Sequence, residues 1–141
     1  MLIAMKKENY FPISKTIIKK LIKEAKRARE MAYAPYSKFK VGAAVLADNN
    51  NIFTGCNVEN VSYGLTICAE RIAISKAISE GCKKIKAIAV IADTKEPVSP
   101  CGACRQFIME FNPDTLVIMG TLDRKIYTTT IKELLPYNFK F

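Results

Sequence analysis

Apolar residues recur every three or four positions across residues 14–32. Ile17, Ile18, Leu21, Ile22, Ala25 and Ala28 fall on one face, and Lys15, Lys19, Lys23, Lys26 and Glu30 on the other. That period predicts an amphipathic helix ended by Pro35, with residues 33–38 as a loop. Two apolar runs follow, 41–46 and 52–58, joined by Asp48-Asn49-Asn50-Asn51, the pattern of an antiparallel hairpin. Residues 66–80 return to helical spacing, with Ile72, Ala73, Ala77 and Ile78 on the apolar side and Gly81 as the stop. Residues 85–92 form an unbroken apolar run of strand length, as in a strand covered on both faces. A loop over 93–100 with two prolines leads into a helix over 101–111, closed by Asn112-Pro113. Strands over 116–119 and 126–129 flank a polar turn, and 131–135 is a last short helix.

The order α-β-β-α-β-α-β-β-α predicts an α/β fold, a three-layer α/β/α sandwich with a mixed five-stranded sheet. No linker or internal repeat interrupts it, so residues 1–141 are expected to form a single domain. Half of the residues are hydrophobic, enough for one sizeable core. Lys6, Lys7 and Glu8 follow only a few apolar residues, too few for a signal-peptide core, and no apolar run approaches the roughly 20 residues of a membrane span. A soluble, cytoplasmic protein is expected.

The net charge of +9 raises the question of nucleic acid. Residues 1–40 hold 11 Lys or Arg against 3 Glu, whereas residues 41–141 hold 11 against 10 acidic residues. The excess therefore sits on the first segment and reads as a solvated helix face. Only 5 of the 22 basic residues are Arg, the better fork for phosphates and base edges, which weakens the alternative of a polynucleotide-steering patch.

Histidine is absent, which removes Ser-His-Asp and Cys-His nucleophilic schemes and any imidazole base. Five cysteines, an odd number without a secretory signal, point to metal binding or catalysis rather than a disulfide framework. Thr66-Ile67-Cys68-Ala69-Glu70-Arg71 and Pro100-Cys101-Gly102-Ala103-Cys104-Arg105 each lie where a loop turns into a helix. A C-x-x-C pair in a first helical turn brings two sulfurs to one side, where the helix dipole favours thiolate. Cys68, at the head of another helix, would complete three protein ligands and leave a tetrahedral zinc ion one open position.

Glu70 is too close to Cys68 to chelate comfortably beside it, yet well placed to reach bound water as a general base and later an acid. C-x-E followed by P-C-x-x-C is the all-cysteine form of the zinc deaminase signature. Zinc with three thiolates carries a net negative charge, so nearby positive charge is needed to lower the pKa of its water. Arg71 is the expected donor to the thiolates, and Arg105 follows the other ligand pair. A dithiol redox motif and a structural zinc site remain alternatives. The latter wants a fourth ligand, and Cys56 and Cys82 read as ordinary small core or surface residues.

The residues resemble the small cytidine deaminase family across nearly the whole chain. Residues 33–44 (Tyr33-Ala34-Pro35-Tyr36-Ser37-Lys38-Phe39-Lys40-Val41-Gly42-Ala43-Ala44) are similar to that family's loop and first strand. Gly55-Cys56-Asn57-Val58-Glu59-Asn60 and Ser62-Tyr63-Gly64 are similar to its ribose-binding segment, and Glu133-Leu134-Leu135-Pro136 to its end. The resemblance implies hydrolytic deamination of free cytidine or deoxycytidine to the uracil nucleoside in pyrimidine salvage, with one Zn²⁺ per subunit held by Cys68, Cys101 and Cys104. Glu70 would take a proton from zinc-bound water, hydroxide would attack C4, and the same carboxyl would protonate N3 and then the departing amine.

By the same resemblance, Asn57 and Glu59 would bond the ribose hydroxyls, and strand alternation points both the same way. Phe39 would pack on the pyrimidine, its alternative being a core aromatic. The N–H of Ala69 and the carboxyl of Glu70 would read the base edge. A homotetramer is implied, with Tyr63 and Phe139 reaching a neighbour's site. No membrane or nucleic-acid partner is expected. The rivals are deamination within a polynucleotide, opposed by the carboxylate of Glu59 where a phosphate backbone would run; a zinc-stabilised binding module; and deamination of a nucleotide or a cytosine-containing antibiotic.

Overall fold

The computed structural model describes residues 13–141. The stretch carrying Lys6, Lys7 and Glu8 lies outside the described residues. Helix α1 spans Lys15–Arg29, with the Ser14 hydroxyl as N-cap accepting from the Ile17 N–H at 3.2 Å. It stops three residues short of the predicted span. The N–H groups of Glu30, Met31 and Ala32 bond three residues back, tightening the last turn, and the Tyr33 N–H is then captured by the Asn57 carbonyl.

Strands β1 (Val41–Ala47) and β2 (Ile52–Cys56) form the hairpin, with Asn50 in the left-handed conformation (φ 65°) at the turn. β2 ends two residues before the predicted 58. There Asn57 carries the ladder on with its side chain, Oδ1 accepting from the Val41 N–H and Nδ2 donating to the Phe39 carbonyl. Val58 then pairs with Ile67 by mutual 2.9 Å bonds. That pairing delays the next helix: α2 spans Ala69–Ser79 rather than 66–80, after a single 3-10 turn at Tyr63–Leu65. Its buried face is Ala69, Glu70, Ala73, Ile74 and Ala77. Ile72 and Ile78, predicted on the apolar side, sit at its margin. Gly81 (φ 97°) closes the helix as predicted, its N–H bonding Ile78 O while the Cys82 N–H bonds Ala77 O.

β3 (Ile85–Ala92), α3 (Gly102–Phe111), β4 (Leu116–Thr121), β5 (Ile126–Thr130) and α4 (Ile131–Leu134) complete the chain. The sheet is mixed and five-stranded, in the order β2-β1-β3-β4-β5, with only β3 and β4 parallel. As its unbroken apolar run predicts, β3 lies at the centre and is buried on both faces. Ile88 and Val90 face one core with α2 and α3, whereas Ala87, Ala89 and Ile91 face another with α1. The three layers are therefore α1, the sheet, and α2 with α3. Among the described residues no helix is long and apolar enough to cross a membrane.

Two close approaches set the spacing of these layers. A methyl group on Gly42 would lie 2.0 Å from Ala25 O of α1, and one on Gly55 would lie 2.5 Å from Ala69 O and 2.7 Å from Ala73 N of α2. All of these obstacles are backbone atoms that cannot rotate away. Gly55→Ala is expected to lift the first turn of α2 and to destabilise by about 1–3 kcal/mol in denaturant unfolding. Gly64→Ala, whose new methyl meets nothing within 4 Å, is the control and should change stability far less. Equal stability of the two variants would show that α2 is not seated by this contact.

Candidate active site

The convergence of two helix N-termini creates the site. Cys68 is the N-cap of α2 and Cys101 the N-cap of α3, both in extended backbone, and Cys104 lies one turn into α3, fully buried. Their sulfurs all lie within 4.8 Å of one another, with 4.0 Å between Cys68 and Cys101. Two sulfurs on one tetrahedral zinc ion, with Zn–S of about 2.3 Å, stand about 3.8 Å apart. The trio therefore fits zinc, and its soft thiolate donors suit that metal. All five cysteines are free thiols, and neither Cys56 on β2 nor buried Cys82 joins the cluster.

The Cys68 thiol is pulled down to about 5, mainly by hydrogen bonding to Cys104 and then by Arg71. Cys104 is pushed upward by the same bond to Cys68 and by burial. Arg71 places Nη2 3.2 Å from Thr66 O and 3.7 Å from Cys68 Sγ. Its Nε is buried and has no partner among the described residues. Arg105 does not supply charge to the sulfurs in this way. Its guanidinium donates to Pro100 O and Leu134 O, both at 2.8 Å, and to Ser99 Oγ at 2.6 Å. It ties the loop before Cys101 to the end of α4, a role that its position beside a ligand pair does not reveal.

Glu70 is the buried carboxylate among the described residues, 5% exposed in the first turn of α2. Its Oε2 lies 3.5 Å from Cys104 Sγ. Burial raises its pKa above the ordinary carboxylate value, and the Cys68 charge adds to this. The Ala69 N–H, at the first helical position, has no acceptor within the helix.

Asn57 and Glu59 do not share a strand face, because β2 ends at Cys56 and the expected alternation stops with it. Both side chains instead hold the backbone from Tyr36 to the start of β1. Asn57 bonds Phe39 O and Val41 N, which leaves its carboxamide one N–H and one lone pair. Glu59 Oε1 accepts from the N–H groups of Tyr36 (2.9 Å) and Ser37 (3.1 Å), and Oε2 accepts from the Ser37 hydroxyl. The bond from Ser37 is the main cause that lowers the Glu59 carboxyl below its usual range.

Glu59 lines a hollow of about 400 Å³ with Tyr36, Ser37, Tyr63 and Thr66, and Tyr63 meets Tyr36 edge to face at 5.9 Å. Phe39 is 41% exposed and so is not a core aromatic. Phe139 lies in a different hollow, against Gln106, Met109 and Glu110 of α3. Ser37 is the contact that motif reading passes over, since its partner stands 22 residues away.

The geometry agrees with comparison to known proteins. Residues 15–120 match the family described as the cytidine and deoxycytidylate deaminase zinc-binding region. The chain is 55% identical over 123 residues to a cytidine deaminase of Sporosarcina psychrophila, covering 86% of this chain and 90% of that one. It is 58% identical over 120 residues to a cytidine deaminase of Halalkalibacterium halodurans, covering 84% and 91%. The crystal structure of cytidine deaminase from Burkholderia pseudomallei superposes with a TM-score of 0.84 at 45% identity, covering 90% of this chain and all of that one. With the profile spanning most of the chain and the fold and cysteine cluster in agreement, the protein belongs to the cytidine and deoxycytidylate deaminase family.

Proposed function

We propose that this protein hydrolyses free cytidine and deoxycytidine to the uracil nucleoside and ammonia, acting in pyrimidine salvage in the cytoplasm, where its thiols stay reduced. The observation that carries this reading is the buried Glu70 carboxyl beside three convergent cysteine sulfurs. Cys68, Cys101 and Cys104 would hold one zinc ion per subunit. Bound there, zinc supplies Lewis acidity that brings the pKa of water down toward neutrality.

The remaining chemistry belongs to the chain. Glu70, its pKa raised by burial, takes a proton from the attacking water, gives it to N3 of the pyrimidine, and then moves a proton to the amine leaving C4. The raised pKa suits a group that must both accept and donate near neutral pH. Arg71 offsets the thiolate charge. Asn57 and Glu59 take the sugar hydroxyls, Phe39 covers the base, and the Ala69 N–H bonds its edge.

Association into a homotetramer is supported by the apolar side chains left in water. Val61 and Tyr63 are each 76% exposed and Leu65 65%, a density that marks an interface. Tyr63 and Phe139 then reach a neighbour's site. Deamination within a polynucleotide is disfavoured, because Glu59 lines the hollow whereas the lysines of α1 lie across the sheet.

Ammonia release from cytidine is expected to disappear when a chelator removes the metal and to return with Zn²⁺. A folded, zinc-loaded protein that releases none would overturn the assignment. Glu70→Gln is expected to keep its zinc content but lose about 10²–10⁴-fold in kcat. Near-normal turnover would remove Glu70 from the mechanism. The Glu59 carboxyl, lowered mainly by the Ser37 bond, stays ionised through neutral and mildly acidic pH and takes up a proton only as pH falls through that depressed value. KM for cytidine should therefore stay flat from about pH 8 to pH 5 and rise below the usual carboxylate range of about 4. Glu59→Gln should raise KM throughout and remove that acid limb.

A further inference from the structure

The segment between α1 and β1 has little regular structure, yet its backbone at Tyr36, Ser37 and Phe39 is tied to the side chains of Glu59 and Asn57. Three of the four lone-pair positions of the Glu59 carboxylate are occupied by this segment: the N–H groups of Tyr36 and Ser37, and the Ser37 hydroxyl. One remains for a substrate. The Ser37 oxygen also accepts from the Phe39 N–H at 3.0 Å, while the Phe39 carbonyl accepts from Asn57 Nδ2 at 2.7 Å. Between them, Lys38 is held in the left-handed region (φ 59°), a conformation unfavourable for lysine unless its neighbours fix it. One hydroxyl thus joins the backbone of the base-covering residue to the carboxylate that takes the sugar.

We propose that Ser37 is a positioning residue that sets the distance between the sugar acceptor Glu59 and the base-covering Phe39, and so governs nucleoside affinity through these two residues. The inference rests on the reading of Glu59 as the sugar acceptor. Without the hydroxyl, the Glu59 carboxylate keeps only two backbone donors and is freer to turn. The Phe39 N–H loses its partner at the same time. Both changes act on the bound ground state and leave Glu70 and the sulfurs untouched, so they appear in KM rather than in kcat.

The test is steady-state kinetics with cytidine on zinc-loaded Ser37→Ala, Ser37→Thr, Glu59→Gln and the Ser37→Ala/Glu59→Gln double variant, with thermal melting of each. Ser37→Ala is expected to raise KM about tenfold, the loss of a bond to a charged acceptor, with kcat within about twofold. Its acid limb should begin at higher pH than in the wild type, because the strongest influence lowering the Glu59 pKa has gone. Ser37→Thr, which keeps a hydroxyl, should restore KM. In the Glu59→Gln background, Ser37→Ala should add less than it does alone, the mark of two groups acting as one. Should Ser37→Ala melt too low to assay, Ser37→Cys, with a weak donor in place of the hydroxyl, should give an intermediate KM and acid limb.

A Ser37→Ala enzyme with unchanged KM and acid limb, beside a Glu59→Gln enzyme with raised KM, would overturn the role of Ser37 and leave that of Glu59 standing. Unchanged KM in Glu59→Gln would overturn both. A loss of kcat without change in KM would also overturn the proposal, since it would place Ser37 in the chemical step.

Discussion

With no side chain at Gly55, the first turn of α2 settles against β2 at backbone contact distance. The placement of every reactive group on that helix follows from this seating. Cys68 stands at the helix head, Glu70 is turned inward beneath it, and Arg71 reaches back to the Cys68 sulfur. The parallel pairing of β3 with β4 sends α3 across the same face, so that Cys101 and Cys104 arrive beside Cys68. Three sulfurs are gathered by two helices whose spacing is set by the sheet beneath them. No single loop carries the whole ligand set.

Much of this could be read along the chain because the signals are local. The 3.6 period of α1, the unbroken run of β3 and the spacing of Cys68, Glu70 and the C-x-x-C pair each depend on neighbours a few residues apart. What could not be read depends on distant partners. Past Cys56 the Asn57 N–H still meets Val41 O, but its carbonyl turns to the Tyr33 N–H and its side chain takes the Val41 N–H and Phe39 O. α2 starts late because Ile67 is already paired with Val58. The donors on Arg105 go to a serine hydroxyl and two carbonyls, one of them on the last helix. The motif Glu133-Leu134-Leu135-Pro136 acquires a physical meaning from that contact, and from the Thr129 hydroxyl that donates to Glu133.

Histidine is absent, and the fold places two carboxylates in opposite environments. Glu59 is ringed by donors and held ionised, whereas Glu70 is buried and inclined to hold a proton. One residue type is thus held with its pKa lowered in one place and raised in another. The difference comes from burial and hydrogen bonding rather than from the side chain itself.

The exposed lysines Lys15, Lys19, Lys20 and Lys23 belong to α1, on the opposite face of the sheet from α2 and α3. The positive groups nearest the carboxylates and sulfurs are Lys38 beside Glu59 and Arg71 beside Cys68. An uncharged nucleoside gains nothing from electrostatic steering. Its arrival is governed by diffusion and shape, and ionic strength leaves the encounter rate nearly constant.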